Sequence, residues 1–215
     1  MRMEKQMINF ELIKYKLTPF YPMSFTIIRA DKFKTIKWSG GTSTQLYIYP
    51  ETADYGLRNF DFRISTAKVE VEKSEFTPLP GVSRKIMILN GQIEILHKNQ
   101  YHRHLKEFDI DEFEGDWQTS SLGICTDFNL MTRGKTKGEL SSLALLKEQR
   151  RDFTIIDKQA KLFIYLYSGK IVFNTQEYNY NLEPGDLLII EESINNKFEL
   201  IAEIDSRLII SNTSK

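Results

Sequence analysis

The chain has 215 residues, enough for one large domain or two small ones sharing a core. Its 29 Lys and Arg balance 29 Asp and Glu, which leaves no basic excess for a nucleic-acid footprint. No apolar run reaches the length of a membrane span, and the single cysteine, Cys125, excludes an internal disulfide.

In chain order, the first 24 residues mix charges among apolar positions and lack the unbroken core of a signal peptide. They read as an N-terminal extension of a protein whose default location is the cytoplasm. From Phe25 onward, strand signals dominate. Phe25–Ala30, Thr44–Pro50, Phe60–Val71, Arg84–Leu89, Gln92–His97 and Thr126–Thr132 are rich in β-branched and aromatic residues. So are Lys161–Ser168, Lys170–Asn174, Asp186–Glu192 and Ser206–Asn212, and Gly, Pro, Asn and Asp punctuate the series. Two segments admit a helix: Ala30–Ile36 as two turns, and Glu139–Gln149, whose leucines suit either a helix or a strand. Many short strands at this spacing predict a sandwich or barrel rather than a parallel sheet with crossover helices.

Lys37–Pro50, "KWSGGTSTQLYIYP", raises the question of a phosphate loop. It fails the pattern. Gly40-Gly41 is followed by Thr42, Ser43 and Thr44 with no lysine, and the dinucleotide fingerprint needs three spaced glycines. The following residues alternate as a strand. Two readings stay open: a tight glycine turn feeding a strand, or bare backbone that lets a ligand come close.

The chain also echoes itself. "KIMILNGQIEIL" and then "FEGDW" repeat the order of "LFIYLYSGKIVF" and then "EPGDLLII". A strand reaches Gly91 or Gly169, a second strand follows, and a Gly-Asp turn opens the next. This predicts two β-barrel units, 25–138 and 139–215, joined within Gly134–Asp152, with strands free to exchange between them.

The echo and the turn "LEPGDLLII" resemble the cupin superfamily of jelly-roll barrels. At "KWSGGTSTQL" after "FTIIRADKFK", "FDFRISTAKVEV", "FTPLPGVSRKIMILNGQIEIL" and "CTDFNLMTRG", the chain resembles the HutD/Ves family. That family comprises two-cupin proteins associated with bacterial histidine utilisation. The resemblance runs from about Phe25 to Asn212 and implies an all-β bicupin. The family usually carries a Lys-Asn-Gly-Gly-Gly type loop after the tryptophan, where this chain has Ser39-Gly40-Gly41-Thr42.

Cupins often hold a metal on two histidines one residue apart, a glutamate and a later histidine. Here His97, His102 and His104 crowd one segment, expected at a solvated hairpin, and the second unit has none. No metal and no cofactor are expected. Strand alternation gives a better constellation. Asp61, Arg63 and Ser65 share one face of their strand, opposite Phe60, Phe62 and Ile64. Asp127, Asn129, Met131 and Arg133 share one face of theirs, opposite Phe128 and Leu130. The aromatic faces would form a dry core, and the polar faces would meet in a cavity. The family's Arg-x-Ser and Asp-Phe-Asn motifs match Arg63–Ser65 and Asp127–Asn129.

The expected ligand-binding set is therefore Trp38, Gly40, Gly41, Thr44, Arg63, Ser65, Asp127 and Asn129. Its ligand would be a small polar metabolite, expected to be a carboxylate held by Arg63. The resemblance adds a sensing or regulatory role in histidine utilisation and suggests an intermediate such as formylglutamate. Alternatives remain: an Arg63–Asp127 pair that merely neutralises itself, a metal-free isomerase or hydrolase acting through Asp127, or an interaction protein with a vestigial cavity. Catalytic residues are not assigned. Neither a nucleic-acid nor a membrane partner is expected, and a homodimer is admitted.

Overall fold

Period-two alternation of apolar and polar residues runs through most of the chain and sets its architecture. The computed structural model describes residues 24–154, 161–175, 177–191 and 197–214. All of the expected N-terminal extension except Ser24 lies outside them. Among the described residues the protein is all-β, with a single 3-10 turn at Ala30–Lys32.

Strands are numbered in chain order. The first sheet runs β2 (Lys34–Trp38), β3 (Gly41–Tyr49), β4 (Phe62–Val69), β11 (Cys125–Arg133), β6 (Val82–Gly91) and β9 (Ile110–Glu114). The second runs β5 (Lys73–Glu75), β10 (Thr119–Leu122), β7 (Ile93–His97) and β8 (Tyr101–Leu105). The third runs β1 (Ser24–Ile28), β16 (Leu187–Glu191), β14 (Lys161–Asn174), β17 (Lys197–Ser214) and β12 (Lys137–Leu145). In it, β13 (Arg150–Thr154) pairs with β17 and β15 (Asn179–Leu182) with β14.

The first sheet is the middle layer, and alternation gives it two destinations. Ile86 and Ile88 of β6, Val69 of β4 and Cys125 of β11 pack on Ile93, Ile95 and Leu105 of the second sheet. From the opposite face Phe62, Ile64, Met87, Leu89, Phe128 and Leu130 pack on Phe163, Leu187, Ile189 and Ile209 of the third. The third sheet encloses a core of its own. The first half of β14 pairs with β16 and the end of β17, the second half with β15 and the start of β17. Register shifts between Leu166 and Ile171 mark the corner, and inside the fold lie Ile164, Leu166, Ile171, Phe173, Leu182 and Leu200.

The expected barrels are not closed. The second sheet ends at β5 and β8, the first at β2 and β9. At Gly91 (φ 84°) the chain leaves the first sheet and Ile93 begins the second, a strand switching layers at a corner. Gly169 (φ 97°) marks the matching corner of β14, so the internal echo is real there. It fails at the Gly-Asp turns. Asp186 is buried, accepting from the backbone N–H of Ala30 (3.1 Å) and Glu183 (3.0 Å) and from Arg29 (2.6 Å), whereas Asp116 is exposed.

Neither helix candidate forms a helix. Ala30–Ile36 divides into the 3-10 turn and the start of β2, and Glu139–Gln149 supplies most of β12. In both, edge pairing to a neighbouring strand outweighs a weak local preference. The chain also crosses between layers early: β1 pairs with β16 in the third sheet, while β2 and β3 join the first.

Candidate functional site

The inward faces of β4, β11 and β6 do not stay apolar along their whole length. At one end they carry the isoleucines of the core shared with the second sheet. At the other, Arg63 of β4 lies opposite Met131 of β11, which lies opposite Arg84 of β6. Ser65 and Asn129 form the next rung. These residues and Asp127 wall a cavity of about 250 Å³ whose rim includes Trp38, Ile36, Ser43, Tyr55 and Phe76. At ~30 Å³ per water, it accommodates a small metabolite.

Arg63 is 5% exposed. Its Nε donates to Gln45 Oε1 at 3.0 Å and its Nη1 to Ser65 Oγ at 2.8 Å, and its guanidinium sits 4.3 Å from the centre of the Tyr55 ring. Burial lowers its pKa. The alternative Arg63–Asp127 pair is not formed; Gln45 and Ser65 hold the guanidinium instead. Arg84, 6% exposed, lies 4.9 Å from the Phe76 ring and 5.1 Å from the Phe113 ring. Its Nε has no hydrogen-bond partner among the described residues. Burial pulls its pKa down to about 10, an effect the charge of Asp127 opposes.

Asp127 is buried on β11. Asn129 Nδ2 donates to its Oδ1, and the Cys125 thiol lies 4.0 Å from its Oδ2. Burial pushes its pKa up to about 7, against the pull of Arg84 and of the Asn129 hydrogen bond. Asn129 Oδ1 is itself buried and unpartnered. Cys125 is a core residue whose thiol burial raises to about 12, far from a reactive thiolate.

The glycine motif acquires a structural explanation. A Cβ on Gly40 would sit 2.1 Å from the Trp38 ring, and one on Gly41 would sit 1.9 Å from the Lys68 carbonyl oxygen, at a φ of 149°. Gly40 thus lets the indole lie flat on the backbone, and Gly41 lets β3 run against β4 in a conformation that side chains rarely adopt. Gly40 shapes the rim by setting Trp38; neither glycine lines the cavity. Thr44 lies off it as well, its hydroxyl 2.7 Å from that of Thr35, while its neighbour Ser43 faces in. The structure therefore brings Trp38, Arg63, Ser65, Asp127 and Asn129 together, and leaves out Gly40, Gly41 and Thr44.

Sequence reading missed Arg84 and Tyr55. Arg84 stands two residues before Ile86, in phase with the inward positions of β6, and that phase was the available signal. Tyr55 arrives on the loop before β4, which carries no periodicity. Phe60 and Asp61 also depart from expectation. Both precede β4, so alternation does not govern them: Phe60 packs with Leu79, Val82 and Met131, and Asp61 bonds through its backbone to Tyr49 and Arg133.

The histidines scatter. His97 is buried rather than solvated. Its Nε2 lies 2.7 Å from Asp111 Oδ2 and its Nδ1 2.8 Å from Thr119 Oγ1, beside the rings of Tyr101, Phe113 and Trp117. Arg103 and Tyr101 complete the contacts of Asp111. His102 is exposed, and His104 pairs with Glu94 at the surface. Among the described residues no three His, Cys, Asp or Glu side chains are grouped to hold a metal ion.

A family profile described as HutD matches residues 30–208. No curated protein matches the sequence. Among solved structures, a conserved protein of unknown function from Pseudomonas aeruginosa PAO1 is similar, with a TM-score of 0.76 at 20% identity over 89% of this chain and 100% of that one. HutD from Pseudomonas fluorescens SBW25, in a formate condition, gives 0.67 at 20% identity over 89% and 100%. YhhW from Escherichia coli gives 0.70 at 12% identity over 88% and 97%. At these identities the likeness shows the fold, which is cupin-like.

Proposed function

The chain belongs to the HutD family, and from that premise we propose that it is a two-unit cupin protein that binds a small anionic metabolite, a carboxylate, in the cavity between β4, β11 and β6. On this reading the units are 25–138 and 139–215, with β1 exchanged onto the second. The role is one of sensing or regulation in histidine utilisation, exercised in the cytoplasm. One observation carries the binding reading: two buried guanidiniums, Arg63 and Arg84, wall one cavity whose described lining holds a single buried carboxylate, Asp127, and Arg84 Nε is left without a partner. Buried charge is stable only when compensated, and a carboxylate would satisfy a guanidinium fork with paired hydrogen bonds. The cavity offers no imidazole or thiolate, a donor set suited to anions rather than to transition metals.

A second reading has its own support. A carboxyl group held near pH 7 inside a cavity suits general acid–base chemistry, so Asp127 keeps open a metal-independent isomerase or hydrolase. The test for binding is calorimetric titration of formylglutamate, glutamate and urocanate against the unaltered protein and Arg63→Lys, with melting curves alongside. Lysine keeps the charge and loses the fork, so affinity should fall by about 1.5–3 kcal/mol in a folded variant. Unchanged affinity would remove Arg63 as the anchor; no binding to the unaltered protein would refute the carboxylate site. Turnover of a bound compound, lost in Asp127→Asn, would establish the enzyme.

A further inference from the structure

The cavity lies between two sheets, and its mouth lies between two free strand edges. On one lip, Ile36 and Trp38 come from β2, the edge of the first sheet. On the other, Glu75, Phe76 and Thr77 come from the end of β5, the edge of the second, and the residues after it. Alternation turns Ile36 and Trp38 inward. Ile36 heads the row Ser43, Ala67, Asp127, and Trp38 the row Gly41, Val69, Cys125. Asp127, Val69 and Cys125 in those rows are buried, yet Ile36 is 59% exposed and Trp38 38%. Two large apolar side chains thus overhang the cavity uncovered. The two lips are not equally held. Phe76 is tied by its N–H to the Thr119 carbonyl (3.0 Å), beside the pairing of β5 with β10. Every residue of β2 is exposed, and the strand joins its sheet through β3 alone. Its turn is anchored where the Glu70 N–H donates to the Gly40 carbonyl (2.8 Å).

We propose that β2 is a lid: with a carboxylate on the arginines, it folds about its pairing with β3 and lays Ile36 and Trp38 against Phe76 and Thr77. This rests on the carboxylate-binding reading and adds how the site retains its ligand. Closure removes exposed apolar surface from water. It also excludes water from the arginine–carboxylate contacts, which strengthens them. The open arrangement admits the ligand, and the closed one slows its escape.

The test is a pair of cysteines, Ile36→Cys with Thr77→Cys, one on each lip at exposed positions. A disulfide needs Cα atoms within about 7 Å of each other, so its rate of formation under oxidised glutathione reports the approach of the lips. Cys125 is buried and stays out of the reaction. Formylglutamate, glutamate and urocanate are each titrated calorimetrically into the unaltered and the double-cysteine proteins, and oxidation is timed with and without each probe. A probe that binds should speed the disulfide at least about fivefold. In the unaltered protein it should slow deuterium exchange in the peptide covering 34–38 at least about fivefold and leave that covering 101–105 unchanged. The exchange measurement decides alone if the double variant does not fold or bind. Binding without a faster disulfide in a folded double variant, or without slower exchange in the unaltered protein, would overturn the lid and leave the carboxylate site standing. No heat of binding from any probe in the unaltered protein would overturn both.

Discussion

Replacing Asp127 by asparagine keeps the shape of the side chain and removes its titration. The folded protein holds this carboxyl at a pKa of about 7, against 3.8 ordinarily, because burial penalises its charge. Between those two values the folded state retains a proton that the unfolded chain has released, so stability falls as pH rises through this window and levels off above pH 7. At up to 1.36 kcal/mol per pH unit, the loss from pH 5 to pH 8 amounts to about 2–3 kcal/mol. Asp127→Asn should not suffer that loss. Its stability relative to the unaltered protein should therefore improve by about 2–3 kcal/mol between pH 5 and pH 8, or about 4–12 °C in melting temperature. Urea unfolding of both proteins at pH 5, 6, 7 and 8 measures it. All other titrating groups are shared by the two proteins and cancel in the difference. Two stability–pH curves that run parallel across this range would refute the burial argument for Asp127.

Arg84→Met should raise stability at pH 6 by about 1–3 kcal/mol, since replacing a buried charge with apolar volume is often favourable, while abolishing carboxylate binding; urea unfolding and calorimetry on the same sample check both. His97→Ala should cost about 2–5 kcal/mol, because it opens a cavity and leaves Asp111 and Thr119 without their shared partner; chemical denaturation measures this. Gly41→Ala should destabilise by more than about 1 kcal/mol, because its Cβ meets the Lys68 backbone. Gly40→Ala meets only the Trp38 ring, so it should shift Trp38 fluorescence in a Trp117→Phe background with a smaller change in melting temperature.

Strand alternation made much of this legible before any coordinates. On β4 and β11, periodicity alone separates Phe62, Ile64, Phe128 and Leu130 from Arg63, Ser65, Asp127 and Asn129, and the two sets do face opposite layers. Thr44 was not placed by that rule, which in fact accounts for it: Thr44 lies opposite Thr66 while Ser43 and Gln45 lie opposite Ala67 and Ser65, so Thr44 falls on the other face of β3. Short, polar strands such as β5, β8 and β10 were invisible, since their burial comes from pairing and not from composition. The solvated-hairpin expectation fitted His102 and His104 and failed for His97, whose burial depends on Asp111 and Thr119, 14 and 22 positions away. Such contacts leave no local mark.

The pairing of β1 with β16 sets a schedule for synthesis. Phe25 sits opposite Ile190, 165 positions later. A ribosome adding ~5–20 residues per second would leave β1 without its partner for roughly 8–33 s, long after β2, β3 and β4 have emerged to pair with one another. The apolar side chains of Phe25 and Ile27, packed in the finished protein against the core of the third sheet, are uncovered for that whole interval. Docking of β1 is thus a late event that joins the start of the chain to its end, and a chain released before Leu187 would keep a sticky strand with nowhere to go.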